Sequence, residues 1–156
     1  MLSIIVVCTG NTCRSPMAEA LLRDKAVKAG LADTIRVSSA GVAASTSFPA
    51  SRGAYTVMSA KGLDLKSHRS RQLTKETIIS ADLILTMTAG HKKAILSFMP
   101  EAQGKVFTLP EYAGEAGDVA DPYGGDTAIY QYCAEQIGAL VDKVWEKIAV
   151  LAGKNA

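Results

Sequence analysis

The sequence predicts an α/β fold in which helices cover both faces of a parallel sheet. Apolar segments of strand length alternate with segments of helical pattern, and this alternation indicates right-handed crossovers between parallel strands. The chain has 156 residues, of which 48% are hydrophobic, which is enough for a substantial core. Because no repeat, low-complexity block or linker divides the sequence, we expect residues 1–156 to form a single domain.

The first strand and the first helix have the clearest patterns. Residues 2–7 are a β-branched apolar run suited to a buried parallel strand, and residues 16–23 contain strong helix formers after an early proline. The remaining elements, in chain order, are predicted as a strand at 34–39, a Ser- and Ala-rich loop at 40–49, a helix at 50–61 ended by Gly62, a short helix at 75–80, a strand at 82–87, a helix at 89–98, a strand at 105–108, a long loop at 110–126 and a helix at 127–152.

A short loop of distinctive composition joins the first strand to the first helix. It lies at the carboxyl end of a strand, where parallel sheets bind ligands, and before a helix N-terminus, whose unpaired amides and dipole attract anions. Gly10 permits a close backbone approach or a positive φ, and Asn11 tolerates the left-handed region, so successive amides can converge on a phosphate. The residues of this Cys8–Ser15 loop are Cys8, Thr9, Gly10, Asn11, Thr12, Cys13, Arg14 and Ser15.

Cys8 and Arg14 indicate the chemistry of this loop. The field at the helix N-terminus favours the thiolate of Cys8, which is the nucleophilic form of the side chain. The planar guanidinium of Arg14 can hold two phosphoryl oxygens, and the Ser15 hydroxyl can donate to the sulfur as it leaves a phosphocysteine. The alternative is a structural cysteine beside an incidental arginine; it requires the thiol, glycine, arginine and strand-to-helix context to coincide by chance.

Charge and cysteine content narrow the class of protein. A net charge of +2 without a dense basic block does not indicate nucleic-acid binding. No apolar run reaches transmembrane length and the N-terminus is unlike a signal peptide, so we expect a cytoplasmic protein that does not bind membranes. Three cysteines without disulfide-scaffold spacing favour a reducing compartment. Two histidines without cysteine or carboxylate clusters at ligand spacing argue against a zinc site, and we expect neither a metal nor another cofactor.

The loop near residue 120 offers a proton donor. Asp121 precedes Pro122, which restrains the course of the loop. The aromatic side chain of Tyr123 follows and can form a wall beside the Asp121 carboxyl group. This carboxyl group could protonate a leaving group and then act as a base toward water. Asp-Pro also commonly begins a turn, and on local sequence alone the two interpretations are equally supported. The Cys8–Ser15 loop favours the catalytic one, with Asp118 as the next candidate.

At this point the sequence resembles the low-molecular-weight protein tyrosine phosphatases. The resemblance rests on the Cys8–Ser15 loop and on residues 16–19, 39–41 and 121–123, and it runs from the first strand into the last helix. It implies a flavodoxin-like three-layer α/β/α fold with a four-stranded parallel sheet, and a metal-free two-step mechanism through a phosphocysteine. It also implies that Cys8 is the nucleophile, that Arg14 binds phosphate and the transition state, and that Asp121 is acid and then base.

The resemblance also implies a supporting hydrogen-bond network around the loop. Asn11, Ser15, Ser39 and His68 match the positions that form this network in the family. Without the resemblance, the sequence around His68 favours a partly exposed side chain near Arg69 and Arg71.

Thr12 and Tyr123 are the predicted specificity residues. Tyrosine-specific members of the family usually carry an aliphatic residue at the position of Thr12, and Gly124 stands where many place a second aromatic residue. In these features the chain resembles the bacterial protein-arginine phosphatases. A hydroxyl, an aromatic face and the Asp121 carboxylate suit the flat cationic guanidinium of phosphoarginine. We therefore expect phosphorylated proteins as substrates, with phosphoarginine favoured over phosphotyrosine, inorganic phosphate as product and a monomeric enzyme.

Two other functions fit the loop less well. Thioredoxin-coupled arsenate reductases need two more cysteines in mid-chain, and no cysteine lies between Cys13 and Cys133, which itself has a packing position in the last helix. A phosphoryl-binding module would need neither Arg14 nor a proton donor. Cys13 itself has two interpretations: a small buried thiol under the loop, or a redox partner that protects Cys8 through a Cys8–Cys13 disulfide.

Overall fold

The four strands form one parallel sheet. β1 (Leu2–Cys8) is central and pairs with β2 (Ile35–Gly41) on one side and β3 (Leu83–Thr86) on the other, and β4 (Val106–Thr108) completes the order β2-β1-β3-β4. The computed structural model describes residues 1–154. Because this strand order is that of flavodoxin-like sheets, the predicted fold is confirmed.

Helices cover both faces of the sheet and form two outer layers. Ile4 and Val6 of β1 pack toward α1, α2 and α6, whereas Ile5 and Val7 pack toward α3 and α4. Within residues 1–154, no helix combines the length and the apolar character needed to cross a membrane. The helices, in chain order, are α1 (Arg14–Lys28), α2 (Arg52–Ala60), α3 (Lys75–Ser80), α4 (Ala89–Phe98), α5 (Leu109–Tyr112) and α6 (Thr127–Lys154), with a 3-10 helix at Pro100–Lys105.

Several boundaries differ from the predicted ones for identifiable reasons. The first helix begins at Arg14 rather than Pro16, since proline is tolerated in the first turn of a helix. The second strand continues to Gly41, because its pairing with β1 continues to Cys8. The loop predicted at 110–126 begins with the single turn of α5, which is held by a capping box in which Thr108 and Glu111 each bind the other's backbone N–H.

Gly41 allows β2 to end directly beside the Cys8–Ser15 loop. A Cβ atom at this position would lie 2.3 Å from the backbone oxygen of Thr9 and 3.1 Å from the backbone nitrogen of Asn11. Both contacts are with backbone, which has little freedom to move. The absence of a side chain at Gly41 is therefore a condition for the observed loop position.

We expect Gly41→Ala to destabilise the protein by at least about 2 kcal/mol, because the new methyl group overlaps backbone atoms on two sides. The matched control is Gly138→Ala in α6, where a Cβ would have no neighbour within 4 Å. This substitution should stabilise the helix by up to about 1 kcal/mol. Urea unfolding of both variants measures the free energies. A Gly41→Ala protein within about 0.5 kcal/mol of the wild type would contradict the close approach described here.

Candidate active site

The Cys8–Ser15 loop turns sharply at Asn11. Asn11 has φ 59, in the left-handed region, whereas Gly10 does not have a positive φ. A Cβ at Gly10 would meet only the Thr12 hydroxyl, at 3.9 Å, and Gly10 lines a cleft of about 240 Å³. The structure therefore shows one of the two roles expected for Gly10, namely open space for a ligand to approach the backbone closely. The other role, the left-handed turn, belongs to Asn11.

The side-chain amide of Asn11 is fully used inside the protein. Its Nδ2 donates to the hydroxyl oxygens of Ser15 at 2.8 Å and Ser39 at 2.9 Å, and its Oδ1 accepts the backbone N–H of Arg71 at 3.0 Å. Both hydrogens and the acceptor of the amide are engaged, and Asn11 is completely buried. These three bonds fix a backbone conformation that a non-glycine residue otherwise disfavours.

The Ser15 hydroxyl links the Asn11 amide to the Cys8 sulfur. Ser15 Oγ accepts a hydrogen from Asn11 and lies 2.9 Å from Cys8 Sγ. Because a thiolate can only accept, the hydrogen of the Ser15 hydroxyl donates to the sulfur when Cys8 is in its thiolate form. A hydrogen-bond donor aimed at sulfur stabilises a thiolate, both as nucleophile and as leaving group.

Ser39 and His68 also form hydrogen bonds with Asn11. The Ser39 hydroxyl accepts from Asn11 and donates to the Glu19 carboxylate. The Nε2 of His68 lies 2.7 Å from the backbone oxygen of Asn11, and since a carbonyl can only accept, His68 donates. The structure thus brings together the four residues expected in the supporting network. It adds Glu19 and Arg71, whose Nε donates to the Ser39 carbonyl at 2.9 Å.

Arg14 lies beneath the cleft and links it to the loop that carries Asp121. Its guanidinium donates to the carbonyl oxygen of Val119 at 2.9 Å and lies 3.6 Å from the Asp121 carboxylate. The arginine is 4% exposed, so its charge is largely removed from solvent. A buried cation at a helix N-terminus is a strong binding element for a phosphoryl group.

Asp121 and Tyr123 stand on the wall of the same cleft. Asp121 Oδ1 accepts the backbone N–H of Tyr123 at 3.1 Å, which forms the turn expected before proline, while Oδ2 faces Arg14. Tyr123 lines the cleft but is 78% exposed. Asp118, the other candidate acid, does not line the cleft; its carboxylate accepts the backbone N–H of Ala89 at the start of α4.

The two other cysteines differ in their surroundings. Cys13 is buried, with Sγ 3.3 Å from both the Ser51 hydroxyl and the Tyr130 hydroxyl. Cys133 is also buried, and burial raises the pKa of its thiol to about 12, so that it stays protonated at neutral pH. None of the three cysteines forms a disulfide in the described structure.

Known proteins resemble this chain over nearly its whole length. Residues 3–151 match the family described as "Low molecular weight phosphotyrosine protein phosphatase". A protein-arginine-phosphatase of Geobacillus stearothermophilus is 44% identical over 146 residues, which cover 93% of this chain and 95% of the relative.

Two solved structures show the same fold. A serine mutant of the YwlE arginine phosphatase, with a phosphorylated active-site serine, has a TM-score of 0.90 at 43% identity and covers 95% of this chain and 96% of its own. The low molecular weight protein tyrosine phosphatase from T. tengcongensis also has a TM-score of 0.90, at 42% identity, and covers 94% of this chain and 99% of its own. The chain therefore belongs to the low molecular weight phosphotyrosine protein phosphatase family.

Proposed function

We propose that this cysteine-dependent phosphatase removes phosphoryl groups from arginine side chains of proteins, with Cys8 as the nucleophile. The observation that carries this proposal is the composition of the cleft. Its wall presents the Thr12 side chain and the Asp121 carboxylate, and among residues 1–154 Tyr123 is the one aromatic residue that lines it. A guanidinium group is cationic, flat and rich in hydrogen-bond donors, and it matches these groups better than an apolar ring does.

In the first step, the Cys8 thiolate attacks phosphorus while Arg14 and the loop amides hold the phosphoryl oxygens. The P–S bond forms as the bond from phosphorus to the guanidino nitrogen breaks. The Asp121 carboxyl group gives its proton to that nitrogen, so the arginine side chain leaves as a protonated guanidinium rather than as a strongly basic neutral guanidine. The position of Asp121 on the cleft wall beside Arg14 supports this assignment.

In the second step, water attacks the phosphorus of the phosphocysteine. The Asp121 carboxylate accepts a proton from that water, and the P–S bond breaks. Inorganic phosphate leaves and the Cys8 thiolate is restored, stabilised by the hydrogen that Ser15 directs at the sulfur. The phosphorylated active-site serine in the serine mutant of a 43% identical relative supports a covalent intermediate at the matching position.

The substrate assignment also has support from the relatives. The protein at 44% identity from Geobacillus stearothermophilus is named a protein-arginine-phosphatase, and it aligns over nearly the whole of both chains. We further propose that the protein acts as a single-domain monomer on phosphorylated proteins in the cytoplasm. Its three free cysteines fit a reducing compartment.

Replacing Thr12 with isoleucine tests the substrate assignment. The change removes a hydroxyl and adds an apolar wall, so we expect the ratio of kcat/KM on phosphoarginine to kcat/KM on phosphotyrosine to fall by at least about tenfold. Two peptides of identical sequence, differing only in the phosphorylated residue, provide the measurement. In the wild type the phosphoarginine peptide should have the higher kcat/KM. A wild type that prefers phosphotyrosine, with a ratio that Thr12→Ile leaves unchanged, would make this a tyrosine phosphatase.

Replacing Asp121 with asparagine tests the proton donor. On a phosphoarginine peptide we expect kcat to fall on the order of 10²- to 10⁴-fold, because the leaving nitrogen needs a proton. On p-nitrophenyl phosphate, whose leaving group is stable as an anion, the loss should be much smaller. Asp118→Asn is the matched control and should affect both substrates equally. Should Asp118→Asn instead show the selective loss, the acid would be reassigned to Asp118.

A further inference from the structure

The side chain of Thr9 is held by a residue that lies outside the loops forming the cleft. Its Oγ1 lies 2.8 Å from Nε2 of His91, in the first turn of α4. Its backbone oxygen accepts the N–H of Ala43 at 3.0 Å. His91 is itself fixed, because it is 6% exposed and its backbone N–H donates to the N-cap hydroxyl of Thr88 at 3.1 Å. The side chain and the backbone of Thr9 are thus both restrained.

The environment of Nδ1, the other ring nitrogen of His91, indicates which partner donates in the hydrogen bond between His91 and Thr9. His91 Nδ1 is buried, and no group among residues 1–154 lies within hydrogen-bond distance of it. Buried N–H groups without an acceptor are rarer in proteins than acceptors without a donor. We therefore assign the hydrogen of the neutral ring to Nε2, which donates to the hydroxyl oxygen of Thr9.

Because His91 donates in this hydrogen bond, the hydrogen of the Thr9 hydroxyl can donate to another acceptor. Among the described residues, His91 is the hydrogen-bond partner of Thr9 Oγ1. Thr9 lines the cleft together with Cys8 and Arg14, where the proposed reaction places phosphoryl oxygens. Those oxygens are anionic acceptors, which form the stronger class of hydrogen bond with a hydroxyl.

We infer that Thr9 is a substrate-binding residue, whose hydroxyl donates to a phosphoryl oxygen, and that His91 is the positioning residue that directs this hydrogen into the cleft. The inference rests on the proposed function in one respect, since it requires a phosphoryl group in the Cys8–Ser15 loop. It holds for phosphoarginine and phosphotyrosine alike.

The charges around His91 agree with a neutral donor. Burial, and after it the Arg14 guanidinium, lowers the pKa of His91 to about 4, although the carboxylates of Asp118 and Asp121 act in the opposite direction. The ring is therefore uncharged at neutral pH. A neutral imidazole orients Thr9 without adding a cation beside Arg14.

Inhibition by inorganic phosphate tests the role of Thr9. The competitive inhibition constant is measured against hydrolysis of p-nitrophenyl phosphate at pH 7. Thr9→Val should raise this constant about tenfold or more, the loss expected for a hydrogen bond to a charged acceptor. Thr9→Ser keeps the hydroxyl and should stay within about threefold of the wild type. An inhibition constant for Thr9→Val equal to that of the wild type would overturn the binding role.

Variants of His91 test whether it acts through Thr9. His91→Leu should raise the inhibition constant several-fold, and His91→Gln, whose amide can donate to Thr9, should recover most of that loss. In the Thr9→Val background, His91→Leu should have no further effect. An equal effect in both backgrounds, or no recovery by glutamine, would overturn the positioning role. If His91→Leu does not fold, His91→Met replaces it in both backgrounds.

A packing change in the same helix is the control. Ile95→Val alters the buried face of α4 one turn after His91, and it should leave phosphate inhibition unchanged. If Ile95→Val weakens inhibition as much as His91→Leu does, the effect reports the stability of α4 and the proposal fails. A wild type that phosphate does not inhibit would instead contradict the proposed function itself.

Discussion

The side-chain amide of Asn11 is the interaction on which the geometry of the site depends. A left-handed residue at this position lets the loop turn, and the three hydrogen bonds of the amide hold it there. One of these bonds reaches Ser15, whose hydroxyl oxygen lies 2.9 Å from the Cys8 sulfur. The amide that holds the loop conformation therefore also positions the hydroxyl that can donate to a thiolate at Cys8.

The second constraint is the buried charge of Arg14. The Arg14 side chain is 4% exposed, so the cost of removing its charge from water needs compensation. The Val119 carbonyl and the Asp121 carboxylate provide part of this compensation. A phosphoryl dianion in the loop would complete this compensation. Since the chain segment that carries Val119 also carries Asp121, the Arg14 guanidinium also holds the Asp121 carboxylate beside the cleft.

The sequence was sufficient for the parts of the site that are close together in the chain. The anion-binding loop is predicted from local features alone, because each has a physical role there: a strand, a glycine, an asparagine and an arginine before a helix. Contacts between distant segments could not be predicted in this way. Glu19 and Arg71 join the network only because β2 and the segment after α2 pack beside the loop, and His91 reaches Thr9 only because β3 lies next to β1.

The short helix α5 differs from the predicted loop for another reason. Pro110 suggests the start of a loop, although proline is well tolerated in the first turn of a helix. The reciprocal cap between Thr108 and Glu111 has a recognisable spacing, which is the sequence signal for this helix. The supporting roles of Ser39 and His68 came from the family resemblance, and their contacts with Asn11 in the structure fit those roles.

In the proposed mechanism, Cys8 carries the phosphoryl group between two chemical steps. Rapid acid quenching during turnover of p-nitrophenyl phosphate, followed by peptide mass analysis, tests this role most directly, because the good leaving group makes hydrolysis of the intermediate the slower step. We expect one phosphoryl group on the peptide that contains Cys8, and none in the Cys8→Ala variant, which should be inactive. Full turnover by that variant, or a phosphoryl group on a different residue, would contradict the mechanism.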